Sequence, residues 1–257
     1  MDRDKGHGST MIPEKSIPEL RVERVIDQKT GHATVKYFWR EKPIRSIQLE
    51  GDHAERMSGI TLIQKDLTNA LGWINKAHRI LDTLPVDSEA AYVVLENREA
   101  ADDVKAYFVA SLVFYAKAFT EAAGRRTQMS RDWLDEKFRP PHDYFMLFRH
   151  NMAAHSGDEK IELARSHLLL VPDANGLLGV RVHTHRSQPD ISFDANDKND
   201  FQSLLSHAIE KTNEKYDRMC RVLIERCAEQ GPQMWVEAAE DGVPVNVDRL
   251  IRQQRHK

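Results

Sequence analysis

The chain has 257 residues, of which 40% are hydrophobic and 30% charged, and a formal net charge of −3 at pH 7. That composition suits a folded globular protein and excludes a disordered one. No global basic field is available, so any nucleic-acid contact has to come from a local patch.

The length allows one large domain or one domain with appendages. Residues 1–18 are polar, carry Gly6, Gly8, Pro13 and Pro18, and read as a flexible tail; the first ten residues hold no apolar run of the kind a secretory signal needs. Residues 19–53 read as a β-hairpin element. Leu20, Val22 and Val25 lead to a turn at Lys29–His32, then to a strand over Ala33–Trp39, with a third strand at Ile44–Leu49.

A helical domain is expected over 54–230. Ile60, Ile63, Leu67, Leu71, Ile74, Ala77 and Leu81 recur at three and four residues, the stripe of an amphipathic helix that Pro85 stops. A second helix, starting between Ser88 and Asp102, is apolar almost all round from Val104 to Phe119 and belongs in the centre of a bundle, with Gly124 as its C-terminal cap. The run from Ala106 to Phe119 contains Ser111 and Lys117 and falls short of the ~18 residues of a membrane span, so no membrane association is expected.

The third helix starts at Trp133, Leu134 and Phe138, breaks at Pro140-Pro141, and resumes from Asp143 to Ser156 before Gly157 ends it. A hairpin inserted at about 167–193 follows, with strands at Leu168–Val171 and Leu177–Val182 around a turn at Asp173–Gly176. The last long helix spans Asp200 to Ala228. It carries Cys220 and Cys227 two turns apart, roughly 10 Å of rise, too far for a disulfide. Both read as reduced core residues of a cytoplasmic protein. Residues 231–257 read as a C-terminal tail with a short helix near Asp248–Gln254. The fold class is therefore mainly α: a bundle of four to five helices with small β-hairpin additions.

The segment from Arg149 to Gly157 concentrates chemistry at the end of an apolar run, Tyr144–Phe148. Arg149, His150, Asn151 and His155 occupy the last turns of a helix that otherwise reads as core, where an unpaired charge is costly. Asn151 and His155 lie about 40° apart on one helix face, and Arg149 about 120° from His155, within reach of a long side chain. The partial negative charge of a helix C-terminus favours a protonated imidazole, which suits proton transfer near neutral pH.

An arginine, a polar residue and then a histidine at the end of a core helix resembles the HEPN superfamily, whose signature is an Arg and a His separated by about four to six residues. Five residues, His150–Ala154, intervene in this chain, His150 fills the polar position, and residues 154–158 are similar to the tail of many such motifs. Residues 115–120 followed by Gly124, Arg125 and Arg126 resemble a helix of uncharacterised bacterial members. In layout the resemblance covers roughly 58–230.

The resemblance implies a HEPN-like bundle and a metal-independent endoribonuclease without a cofactor, active as a homodimer. It fits a toxin or phage-defence component with RNA as substrate and an antitoxin or other protein as partner. Arg149 would bind the scissile phosphate, His155 would handle a proton, and His150 or Asn151 would position the phosphate or the histidine. Arg125 and Arg126 would add phosphate contacts. Many members of the superfamily are instead non-catalytic dimerisation scaffolds. In that alternative Arg149 pairs with Asp143 or Glu121 and His155 bonds a helix-end carbonyl.

Other signals carry less. His183 and His185 alternate on a strand and could join His142, His150 or His155 around a metal, but no acidic or cysteine partner supports it and a solvent-facing strand is the simpler reading. His78 and His207 lie at the core boundary, and Trp39 on an outer strand could stack a base. Gly-rich phosphate loops, Gly-x-Ser-x-Gly elbows and kinase signatures are missing from the sequence.

Overall fold

A computed structural model describes residues 19–26, 33–83, 98–122, 124–153, 163–172, 178–187 and 198–252. It is mainly helical. Three helices of 31, 22 and 32 residues dominate: α1 (Asp52–Asp82), α2 (Arg98–Phe119) and α4 (Lys198–Glu229), with α3 (Arg139–Ala153) ahead of α4. The short helices α5 (Pro232–Asp241) and α6 (Val247–Arg252) follow. The chain falls into two units, residues 59–216 and residues 1–58 with 217–257, the division running through α1 and α4.

The larger unit is built on the expected stripes. Ile63, Leu67, Ala70 and Ile74 of α1 meet Phe108, Leu112, Tyr115 and Ala118 of α2 and Phe201, Leu204, Leu205 and Ala208 of α4 in one buried cluster. Phe145 of α3 packs its ring 4.3 Å from Phe201. Ser111, fully buried, satisfies itself by donating to the Ala70 carbonyl at 2.8 Å. Gly59 is required on α1 because a Cβ there would meet the Thr127 side chain at 2.8 Å.

Two local expectations are corrected. α2 ends at Phe119, and Gly124 is not left-handed; the terminal carbonyls of Lys117 and Thr120 instead receive the Arg125 guanidinium. Pro140 and Pro141 do not break a helix. They lie in the first turn of α3, where the missing N–H groups would have no intrahelical partner anyway. The segment before them forms two 3-10 turns, Arg131–Trp133 and Glu136–Phe138.

The inserted hairpin comprises β5 (Leu163–Pro172) and β6 (Leu178–Ser187), longer than expected and forming their own two-stranded sheet; the turn at 173–176 lies outside the described residues. In the smaller unit, β1 (Leu20–Ile26), β2 (Ala33–Trp39) and β3 (Lys42–Ile44) make an antiparallel sheet. The expected third strand is displaced toward the N-terminus because Arg40 and Glu41 take positive φ and close a two-residue turn at once. That makes β2 the central strand, so Trp39 is not on an outer one. The tail at 1–18 and the turn at 29–32 lie outside the described residues.

The segment expected to be a C-terminal tail holds α5, α6 and β7 (Val245–Asn246), which pairs in parallel with β4 (Leu49–Glu50). Asp248 caps α1, accepting from the backbone N–H of Asp52 at 2.6 Å and of His53 at 3.0 Å. Gly51, at φ +108, is fixed by this cap, since a Cβ would lie 2.8 Å from the Asp248 carboxylate. Trp235 donates from Nε1 to the Cys227 carbonyl at 2.8 Å at the end of α4. Cys220 and Cys227 form no disulfide and are only half-buried.

Candidate functional site

α3 is positioned by its inward stripe. His142 and Phe145 are buried, and Arg149 follows them at the same three-and-four spacing, half-buried. His150, the next residue, is exposed, on the side of α3 that also exposes Tyr144 and Leu147. Adjacent helical positions diverge by about 100°, so Arg149 and His150 leave the helix in different directions.

The acid expected to neutralise Arg149 is already taken. Asp143 accepts two bonds from Arg131, from Nε to Oδ1 and from Nη2 to Oδ2, both at 2.7 Å. The Arg131 guanidinium holds the Asp143 carboxyl below the usual carboxylate range. Among the described residues no carboxylate pairs with Arg149, and Glu121 is exposed without bonding to it.

Behind Asp143, His142 is buried between α2 and α3. Its Nδ1 lies 2.7 Å from the Tyr115 hydroxyl, and its ring sits 4.3 Å from that of Phe119. Burial raises the Tyr115 phenol above its ordinary range and lowers the His142 imidazole, so both are neutral near pH 7. The phenol then donates and Nδ1 accepts. The sequence alone offers His142 only as a possible metal ligand. Its buried role could have been anticipated, because Tyr115 lies within the apolar run of α2 and needs a hydroxyl partner.

The remaining predicted residues are distributed as follows. The side chain of Asn151, and His155 entirely, lie outside the described residues. Arg125 has a side chain 6% exposed, turned back onto the α2 carbonyls and 3.7 Å from Asp66, whereas Arg126 is exposed. Asp66 is itself buried and held at 2.9 Å by Lys117. His183 is exposed on β6, and no group of three His, Cys, Asp or Glu among the described side chains is arranged to hold a metal.

A second feature was missed in the sequence. Asp135, Lys137, Phe138, Ser206, His207 and Glu210 line part of a shallow cleft of about 480 Å³. His207 is buried there, stacked at 4.1 Å on Phe138, and its Nε2 accepts from the Asp135 N–H at 3.1 Å. Burial lowers its pKa, and Lys211 bonds Asp135 at 3.1 Å. With Nε2 committed as an acceptor, His207 latches the loop before α3 to α4 and has no free nitrogen there to serve as a base. Its signal in the sequence, a lone histidine beside an apolar stripe, is that of a satisfied core histidine.

No known protein-family model, characterised protein or solved structure matches the chain. Among the described residues no helix is long and apolar enough to cross a membrane.

Proposed function

We propose that the chain is a metal-independent endoribonuclease of HEPN type that works as a homodimer, with Arg149 on the scissile phosphate and His155 transferring a proton. The observation that carries this reading is the state of Arg149. It stands half-buried at the end of a core-packed helix with no described carboxylate to neutralise it, while the nearest acid on the helix is bound to Arg131. A guanidinium so placed suits the phosphodiester monoanion and the extra negative charge of a phosphorane-like transition state. RNA brings its own 2′-hydroxyl nucleophile, so one cation and one proton carrier suffice. His150 and Asn151 are the adjacent polar groups for positioning.

The second reading is a non-catalytic dimerisation scaffold. It is favoured by Tyr144 and Leu147, apolar side chains 61% and 51% exposed on α3. Both readings use that face for pairing; they differ over Arg149 and His155. Labelled total RNA incubated in EDTA separates them. Cleavage leaving 2′,3′-cyclic phosphate ends, lost in His155→Ala, supports the nuclease. Intact RNA with a stable dimer supports the scaffold.

A further inference from the structure

The register of the inserted hairpin sorts its side chains into two unlike faces. Leu168 stands opposite Val182 and Leu170 opposite Val180, so these two rungs are apolar on one face, with Ser166 bonded to Thr184 at 3.0 Å beside them. On the other face His167 stands opposite His183 and Leu169 opposite Arg181, with Arg165 two residues before His167. Arg165, His167, Arg181 and His183 are all exposed. Neither strand contains an Asp or Glu, although the chain as a whole is acidic, and among the described residues no carboxylate pairs with Arg165 or Arg181. The hairpin thus carries a local basic patch of the kind that the overall charge requires of any nucleic-acid binder.

We infer that this basic face binds the phosphodiester backbone of single-stranded RNA. Along each strand the same-face positions recur every second residue, roughly 6.7 Å apart. Arg165, the His167–His183 pair and Arg181 form three successive rungs of donors at that interval, suited to consecutive phosphates of an extended strand. The guanidiniums grip phosphate oxygens by paired N–H bonds, and the imidazoles add single donors. Backbone contacts of this kind position the polymer without reading its sequence. The inference rests on the ribonuclease reading only for the choice of RNA as the polymer.

The test is fluorescence anisotropy with a labelled single-stranded RNA of mixed sequence, in EDTA, using the full chain with Arg149→Ala to keep the probe intact. Adding Arg165→Glu and Arg181→Glu should weaken binding by at least ~10-fold and flatten the log–log salt dependence by about 1.4, the slope of two phosphate contacts. The same charge change at the exposed residues Arg218 and Arg221 of α4 should leave binding nearly unchanged. Arg165→Gln with Arg181→Gln, a milder change, should give an intermediate loss with an unchanged melting curve. Three results overturn the inference: no RNA binding before the charge reversal, equal loss in the α4 control, or a hairpin variant that binds as tightly as its parent. Hairpin-dependent binding without cleavage by the wild type would uphold it while removing the nuclease reading. Cleavage with hairpin-independent binding would do the reverse.

Discussion

Among the described residues, His142 and His207 are the histidines whose pKa burial lowers. Each imidazole is lowered in the folded chain, chiefly by burial, and each accepts a hydrogen bond at the nitrogen that protonation would claim. The unfolded chain therefore binds these protons more readily, and stability rises with pH across that window. The contribution is whole above about 6.5, the ordinary histidine value, and erodes as pH falls below it toward the depressed values. Melting temperature should drop between pH 7 and 5.5, and His142→Gln should make that drop shallower. Equal slopes for the two proteins would show that His142 does not titrate this way. Asp66 makes a separate test. Buried between Lys117 and Arg125, it should cost about 3 kcal/mol when changed to alanine, at the low end for a broken buried pair because Lys117 remains half exposed. Chemical denaturation measures it. The residue scale is also where the sequence was least legible. The resemblance implied Arg125 as a phosphate contact, yet the α2 carbonyls and Asp66 draw it inward. The half-buried place of Arg149, by contrast, follows from its position at the end of an apolar run.

At the level of elements, legibility followed the range of the interactions. The stripes of α1, α2 and α4 are local, period-3.6 patterns, and the helices lie within a few residues of expectation; α1, whose apolar stripe begins at Ile60, starts at Asp52, close to the expected boundary at residue 54. That start depends on Asp248, a capping partner 196 residues away in sequence, which no window along the chain can reveal. The short helix expected near Asp248–Gln254 is α6, whereas α5 and β7 lay hidden in what reads as a tail. Asp248→Ala should destabilise the chain by about 1–2 kcal/mol, since it removes the acceptor of two helix-start N–H groups. Hydrogen exchange should show the loss first in the opening turn of α1. The start of α3 was misread for another reason: a Pro-Pro pair breaks a helix in its interior but is tolerated in its first turn, and only the position of the preceding 3-10 turns decides between the two.

For the whole molecule, the account requires a second copy. Tyr144 and Leu147 lie exposed on the helix that carries Arg149, and a pairing face there would bring two Arg149–His155 segments together. Light scattering should give twice the 29.6 kDa chain mass for the wild type and the single mass for Tyr144→Glu with Leu147→Glu. The double variant should melt normally, because both side chains are on the surface, and should not cleave RNA. A variant that stays dimeric would move the interface elsewhere. The central claim is chemical, and the rate of RNA cleavage in EDTA, compared among wild type, Arg149→Ala and His155→Ala, tests it most directly. The account predicts a metal-independent rate that falls at least ~100-fold in either variant, the scale of losing a charge-stabilising donor or a proton carrier, with melting curves unchanged. Equal rates in all three proteins, or no cleavage by the wild-type dimer, would contradict it.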